Sequence, residues 1–256
     1  SYGIYDTFAL SLLYGFSEED QDMLAATARQ CLPKLPPDLY QAALRARTKA
    51  RIESAASQYT ALRFYPESDY LIARQNDWFA TIRMASIRTK AWDAQNRQHI
   101  SGSSSGEFSI ALMTDGSEFD NSTIPTMKWN RLMNVTRCDA IEAPPMSYGQ
   151  STFVGGLAQE NELGMAAMQY LLAPPGQDTL TGNKSTFVTR DALVLLGHRL
   201  RCPSREPVVT TLFHAPLEDG AMYLRNGEKL ETGQDGQWEL QAGDVLLLRN
   251  VYVQIL

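Results

Sequence analysis

The segment "AMYLRNGEKL", residues 221–230, decides the fold class of most of this chain. Asn226 and Gly227 form a dipeptide that strongly favours a two-residue turn between antiparallel strands, because both residues tolerate a positive φ. Aliphatic, aromatic and charged residues flank the turn, as in a hairpin with one buried face. The segment therefore predicts a β-hairpin.

Similar segments, rich in β-branched and aromatic residues and separated by Gly, Pro, Asn and Asp, continue from about Asp69 to the end of the sequence. No long helical pattern separates them, which favours an antiparallel β-sandwich over a parallel sheet. The strand candidates are "WFATIRMASIR", "FSIALMT", "STFVTRDALVLLG", "VVTTLFHA", "AMYLRNGEKL" and "DVLLLRNVYVQIL".

The first part of the chain has a helical pattern instead. In "FSEEDQDMLAATARQ", Ser17 is suited to the N-cap, and Glu18 and Glu19 complement the positive end of a helix. A second helix is expected in "LPPDLYQAALRARTKARIESAASQY", after its Pro-Pro pair. We therefore expect residues 1–65 to be the C-terminal part of a helical domain and residues 66–256 an antiparallel β-sandwich domain. Because the sequence opens without Met, we also expect it to be a fragment.

Composition excludes several classes of function. The chain has 256 residues, 44% of them hydrophobic, and a net charge of -6, which argues against a nucleic-acid partner. Its longest apolar stretches are strand-sized, so no membrane span is predicted. The few cysteines and histidines lack the short spacings of a disulfide framework or a zinc site, and a divalent cation has no support: they are Cys31, Cys138, Cys202, His99, His198 and His214.

One polar segment, "RTKAWDAQNRQHISG" at residues 88–102, has almost nothing apolar to bury. Asp93 and Asn96 lie in it, with Arg88 and Arg97 beside them. A carboxylate three residues from an amide can cap a turn in a solvated loop. Set just after a strand, the same pair can hold a charged substrate, since loops on rigid sheets often carry functional sites. The residues alone leave both interpretations open.

The longer stretch "DYLIARQNDWFATIRMASIRTKAWDAQNRQHISG" resembles polysaccharide lyase family eight, which includes hyaluronate lyase and the chondroitin AC and ABC lyases. The resemblance continues, in order, through "TIPTMKWNRLMNVTR", "FVGGLAQENELGMAAMQY", "LTGNKSTFVTRDALVLLGHRL" and "VVTTLF". Met133 and Asn134 replace the usual Pro-Gly, and Thr186 stands where the family usually has an aromatic residue. "FVGGL" and "VVTTLF" favour the chondroitin ABC-like branch.

The resemblance implies the end of an (α/α) toroid followed by a large β-sandwich, and β-elimination at a uronic acid. Asn96 would neutralise the uronate carboxylate, and Tyr2 would transfer the proton as base or acid. Asp93, where the family usually has Glu, would hold that Tyr and an Arg in position. The family's His would lie before Ser1, and its Arg is not identifiable in this sequence.

The function expected from this resemblance is a glycosaminoglycan lyase that cleaves chondroitin, dermatan or hyaluronan. The alternative is a non-catalytic carbohydrate-binding β-sandwich, a truncated or degenerate relative of the lyases. A hydrolase is the weakest interpretation, because no second carboxylate can be paired with Asp93. The resemblance also implies an acidic polysaccharide as partner and a secreted or periplasmic location. We further expect a monomer, without membrane or nucleic-acid partners and with no required cofactor.

Overall fold

The computed structural model describes residues 60–92, 102–114, 117–119, 123–139, 141, 148–215, 223–230 and 239–256. Its strands are β1 (Ala61–Tyr65), β2 (Tyr70–Arg74), β3 (Phe79–Arg83), β4 (Ser109–Met113), β5 (Thr136–Cys138), β6 (Val154–Gln159), β7 (Leu163–Leu172), β8 (Leu180–Val188), β9 (Leu193–Arg201), β10 (Val208–Thr210), β11 (Tyr223–Arg225), β12 (Glu228–Lys229), β13 (Val245–Leu248) and β14 (Val251–Gln254). Short 3-10 helices cover Gly102–Gly106, Ser117–Phe119 and Ile124–Thr126. Over these described ranges, no helix has the length and hydropathy needed to cross a membrane.

Within the described ranges the strands form four sheets. Three have four strands each, in the orders β1-β2-β3-β4, β6-β7-β8-β9 and β12-β11-β13-β14, and β5 pairs with β10 in the fourth. Pairing is antiparallel between β3 and β4, through the β6–β9 sheet, through the β11–β14 sheet and between β5 and β10. The predicted antiparallel β architecture is therefore confirmed.

The main core lies between the β1–β4 and β6–β9 sheets. It forms because successive side chains of a strand point to opposite faces, so every second residue can be buried. In β7, Ala166, Met168 and Tyr170 are buried and alternate with more exposed neighbours. They share one buried cluster with Ile82 of β3 and Ile110 of β4. Each large apolar side chain buried there stabilises the fold by about 1.5–3 kcal/mol.

The hairpin predicted at residues 221–230 is confirmed. Leu224 of β11 pairs with Lys229 of β12, and the turn residues Asn226 and Gly227 have φ of 50° and 86°. Two successive positive φ angles match the right-handed twist of the strands that the turn connects. Asn226 also donates a 2.8 Å hydrogen bond to Asp244 Oδ1, which fixes the turn against the start of β13.

Two predicted element boundaries are wrong. β1 lies inside the segment predicted to be helical, because buried Leu62 and exposed Arg63 already follow the two-residue period of a strand. "STFVTRDALVLLG" is not one strand but the end of β8 and the start of β9. The chain turns there because Thr189 N donates to Ala192 O at 2.9 Å and the Thr189 hydroxyl bonds the same residue. Residues 1–59 lie outside the described residues, so the helical domain itself stays a prediction.

Candidate functional site

The candidate site is the structure that holds both ends of the polar segment 88–102. Residues 1–59 and 93–101 lie outside the described residues, so the roles given to Tyr2, Asp93 and Asn96 stay predictions. What the structure does describe is the base from which that segment leaves and to which it returns. We call this base the loop frame and define it as Asp69, Ser86–Trp92, Gly102–Gly106, Gly149 and Ser151.

Asp69 is the centre of the loop frame. Its side chain is 0% exposed. Oδ2 accepts hydrogen bonds from the backbone N–H of Ser86 at 2.9 Å, from the Ser86 hydroxyl at 2.6 Å and from the Thr89 hydroxyl at 2.5 Å. A carboxylate tolerates burial only when its oxygens are bonded in this way. Asp69 therefore fixes the turn that follows β3.

Arg88 packs onto the loop frame rather than standing free. Its NH2 group donates to Asp69 Oδ1 at 2.6 Å, and its Nε donates to the Ser86 hydroxyl at 3.2 Å. The side chain is still 56% exposed, so one edge of the guanidinium faces solvent. These two hydrogen bonds assign Arg88 to packing of the loop frame.

Gly149 and Ser151, the two frame residues from later in the chain, form backbone hydrogen bonds with the turn that follows β3. Ile87 N donates to Ser151 O at 3.0 Å, and Gly149 N donates to Thr89 O at 3.0 Å. Gly149 is required at this contact, because a Cβ there would overlap the carbonyl group of Ala85. The backbone on both sides of Arg88 is thus held by residues about sixty positions later in the sequence.

The two ends of the polar segment meet at Ala91 and Gly106. The Ser105 hydroxyl donates to Ala91 O at 3.3 Å. A Cβ on Gly106 would lie 2.5 Å from the same oxygen, so only glycine allows this approach. Trp92 is 4% exposed. The frame therefore anchors residues on either side of 93–101, as expected where a sheet presents a functional loop.

A cluster of buried ionisable groups lies in the core and begins with Glu107, the residue directly after the loop frame. This buried charge cluster consists of Glu107, Arg137, Tyr170 and Lys184, each less than 9% exposed. Arg137 NH1 lies 3.3 Å from Glu107 Oε1. Lys184 Nζ donates to Asn134 O and to the Thr136 hydroxyl, the latter at 3.0 Å. The cluster therefore ties β8 to the segment that contains β5.

Burial determines the protonation of this cluster. It raises the pKa of Glu107 from 4.5 to about 7, although the charge of Arg137 opposes the shift. It lowers the pKa of Lys184 from 10.5 to about 7, with the charge of Glu107 opposing. The Tyr170 pKa is raised well above 10, also by burial, and its hydroxyl donates to Thr136 O at 2.6 Å. Charged and neutral forms of Glu107 and Lys184 therefore coexist near pH 7.

Sequence reasoning missed this cluster, although one signal for it exists. The apolar residues Leu180 and Val188 lie four residues before and after Lys184 in β8. Because four is an even number, all three side chains lie on the same face of the strand. That period places the Lys side chain in the core. Thr186, on the same face, is 0% exposed and has a hydroxyl without a hydrogen-bond partner among the described residues.

No group of three or more metal-binding side chains occurs among the residues that the structure describes. His198 is exposed within β9, and His99 lies outside the described residues. His214 is half-buried, and burial, together with the charge of Lys128, lowers its pKa.

Solved structures share this architecture. A xanthan lyase from Paenibacillus superposes with a TM-score of 0.78 at 17% identity, over 94% of this chain and 24% of the other. A chondroitin AC lyase of Streptomyces coelicolor, solved with chondroitin sulphate, has a TM-score of 0.66 at 21% identity, over 86% of this chain and 32% of the other. At these identities the likeness concerns the fold alone.

Sequence comparison gives the family. Hyaluronate lyase HylB of Enterococcus faecalis is 24% identical over 214 residues, which are 77% of this chain and 21% of that protein. The chain thus spans about a fifth of the length of this curated relative. The sequence profile of the polysaccharide lyase family 8 super-sandwich domain matches residues 60–255. By this match across most of its length, the chain belongs to polysaccharide lyase family 8.

Proposed function

We propose that the chain forms the sandwich side of the cleft of a glycosaminoglycan lyase that cleaves at uronic acids by β-elimination. The observation that carries the proposal is the family match over residues 60–255, which includes the polar segment that the loop frame holds at both ends. A segment anchored in this way can present Asp93 and Asn96 with little loss of conformational entropy on binding.

The proposed chemistry follows from the substrate. The proton next to a uronate carboxylate is weakly acidic, so the developing enolate-like charge must be stabilised as the proton leaves. The Asn96 amide would donate a hydrogen bond to that carboxylate. Tyr2 would remove the proton or protonate the departing glycosidic oxygen, and Asp93 would orient the groups around it. The ring carbon that loses this proton forms a double bond to its neighbour, the bond from that neighbour to the glycosidic oxygen breaks, and a proton goes to the departing oxygen.

The proposed partner is an acidic polysaccharide, either chondroitin, dermatan or hyaluronan. The relatives support this class, since they are a hyaluronate lyase, a chondroitin AC lyase and a xanthan lyase. The proposal includes a monomeric protein that acts outside the cytoplasm, with no required cofactor and without a membrane or nucleic-acid partner.

The test is ultraviolet absorbance during incubation of the protein with chondroitin sulfate, dermatan sulfate and hyaluronan, each supplied separately. Elimination leaves an absorbing unsaturated uronate, whereas hydrolysis does not. Asn96→Ala should lower turnover by about a hundredfold or more. Asn130, exposed in a turn, supplies the matched control, and Asn130→Ala should leave turnover unchanged.

Asp93→Ala separates a site role from a structural one. We expect it to lower turnover strongly and to change the melting temperature little. A folded protein that binds these polymers without releasing any product would favour the second candidate, a non-catalytic carbohydrate-binding sandwich. The observation in favour of that candidate is that the family match concerns the sandwich domain, residues 60–255.

A further inference from the structure

The outer face of the β6–β9 sheet carries a row of exposed polar and aromatic side chains. Gln169 N donates to Phe153 O at 3.0 Å, Gln169 pairs with Asn183, and Asn183 pairs with His198. Directly paired residues of antiparallel strands project from the same face. Their neighbours Met168 and Lys184 point into the core, so this row faces away from it. The row crosses four strands, roughly 14 Å.

A β-bulge shapes the surface beside this row. Thr181 pairs with Arg201 and Asn183 with His198, so β9 contains one extra residue there. Arg199 has a φ of 53°, which is uncommon for a residue with a side chain. A Cβ on Gly182 would lie 2.6 Å from Leu200 Cδ2, so glycine makes room for the bulge. Bulges re-aim side chains and are frequent next to functional sites.

The bulge leaves a groove of about 260 Å³ whose charge is positive. Among the described residues it is lined by Gln169, Thr181, Asn183, Arg199 and Arg201, together with residues of the strand backbones, and by no carboxylate. Neither arginine forms an ion pair with any residue in the part of the chain that the structure describes. This groove therefore stands out on a chain of net charge -6.

The polar groups of the groove suit a sugar chain with negative charges. Arginine pairs with carboxylate or sulfate through two parallel hydrogen bonds. The Thr152 hydroxyl donates to Gln169 Oε1 at 3.3 Å, which leaves the amide N–H groups of Gln169 for a ligand. Phe153, 58% exposed at the end of the row, offers an apolar ring to the face of a sugar.

We propose that this outer-face groove, together with Phe153, binds a stretch of acidic polysaccharide outside the catalytic cleft. The class of polymer rests on the proposed function. Arg199 and Arg201 bind its carboxylate or sulfate groups, Gln169, Thr181 and Asn183 bind its hydroxyl groups, and Phe153 stacks on a sugar ring. The row begins two residues after Ser151, so the groove retains the polymer near the loop frame.

The test measures binding of chondroitin sulfate polymer to the full-length protein by calorimetry. Asn96→Ala is present throughout, so that the polymer stays intact. The groove variant combines Arg199→Asn, which tolerates the positive φ, with Arg201→Gln. The control variant combines Arg63→Ala with Arg205→Ala, two exposed arginines outside the groove. We expect about tenfold weaker binding for the groove variant and less than twofold for the control.

A second variant, Asn183→Ala, keeps the charge and should weaken polymer binding at high as well as low salt. With Asn96 restored, the groove variant should cleave short oligosaccharides at the normal rate. Equal losses from groove and control variants would overturn the proposal, because general charge would then explain binding. Unchanged affinity of the groove variant would also overturn the proposal. A melting temperature lowered at the same time would show that these arginines contact the protein's own chain and not the polymer.

These outcomes are distinct from failure of the proposed function. Groove-dependent binding by a protein that releases no unsaturated product from any of the three polymers would refute the lyase and leave the groove. Product release with groove-independent binding would refute the groove and leave the lyase.

Discussion

Replacement of Asp69 should unfold the loop frame, and the structure contains its own control for the size of the effect. Asp69 and Asp139 each pair with an arginine NH2 at 2.6 Å. Their burial differs: the Asp69 side chain is 0% exposed and the Asp139 side chain 57% exposed. The same change at both positions therefore compares a buried carboxylate with a solvated one at equal distance from its partner.

The expected loss of unfolding free energy follows from the hydrogen bonds that Asp69 accepts. Three hydrogen bonds reach Oδ2 from Ser86 and Thr89. Bonds to a charged group contribute about 1.5 kcal/mol each at the low end, and the exposed Arg88 pair adds little. Asp69 also has a φ of 51°, where alanine is strained by about 1 kcal/mol. We therefore expect Asp69→Ala to lower the free energy of unfolding by about 5.5 kcal/mol, and Asp139→Ala by less than about 1 kcal/mol.

Urea denaturation of the two variants beside the parent protein measures both values. The loss of unfolding free energy for Asp69→Asn should lie between the losses for the two alanine variants. The amide keeps one oxygen for the Ser86 and Thr89 donors but turns an NH2 group towards Arg88. A loss for Asp69→Ala no larger than that for Asp139→Ala would refute the reasoning, since burial would then add nothing to the interaction.

Two further predictions concern the buried charge cluster and the turn before β5. The raised pKa of Glu107 makes stability fall as pH rises from 4.5 to about 7, and the lowered pKa of Lys184 makes it fall as pH drops from 10.5 to about 7. The urea midpoint should therefore pass through a minimum near pH 7, and Glu107→Gln should abolish the slope on the acid side; a flat profile for the parent would contradict this. Asn134 has a φ of 66° and donates to Phe108 O at 3.0 Å, so Asn134→Gly loses only the bond whereas Asn134→Ala is also strained. Urea denaturation should give Asn134→Ala a free energy of unfolding about 1 kcal/mol below that of Asn134→Gly, and the reverse order would disprove the strain.

Local sequence was sufficient to predict a turn where the turn residues themselves favour the required backbone angles. Asn226 and Gly227 tolerate positive φ, so the hairpin that they form could be predicted. The turn between β6 and β7 uses Glu160 and Asn161 with φ of 46° and 60°. Glutamate has no preference for that region, and these two strands were therefore not among the candidates. Asn134, by contrast, stands at a left-handed position, which asparagine tolerates well.

The loop frame and the buried charge cluster depend on contacts between distant parts of the chain. Asp69 is one of many surface-type residues in the sequence, and its role follows only from the return of residues 86–89 to it. Likewise Glu107, Arg137 and Lys184 meet because separate strands pack together. The resemblance to the lyases identified the segment around Asp93 and Asn96 but gave no reason to expect a rigid base beneath it.

The pairing of β5 with β10 has a consequence for the order of folding. The hydroxyl groups of Thr136 and Thr210 lie 2.8 Å apart, although 74 residues separate them in sequence. The intervening β6–β9 strands are consecutive neighbours in one sheet, so they can form by hairpins within microseconds. Their formation shortens the chain that must still be closed, which lowers the entropic cost of joining β5 to β10. Changes in the β6–β9 turns should therefore slow folding, whereas loss of the Thr136–Thr210 contact should mainly speed unfolding.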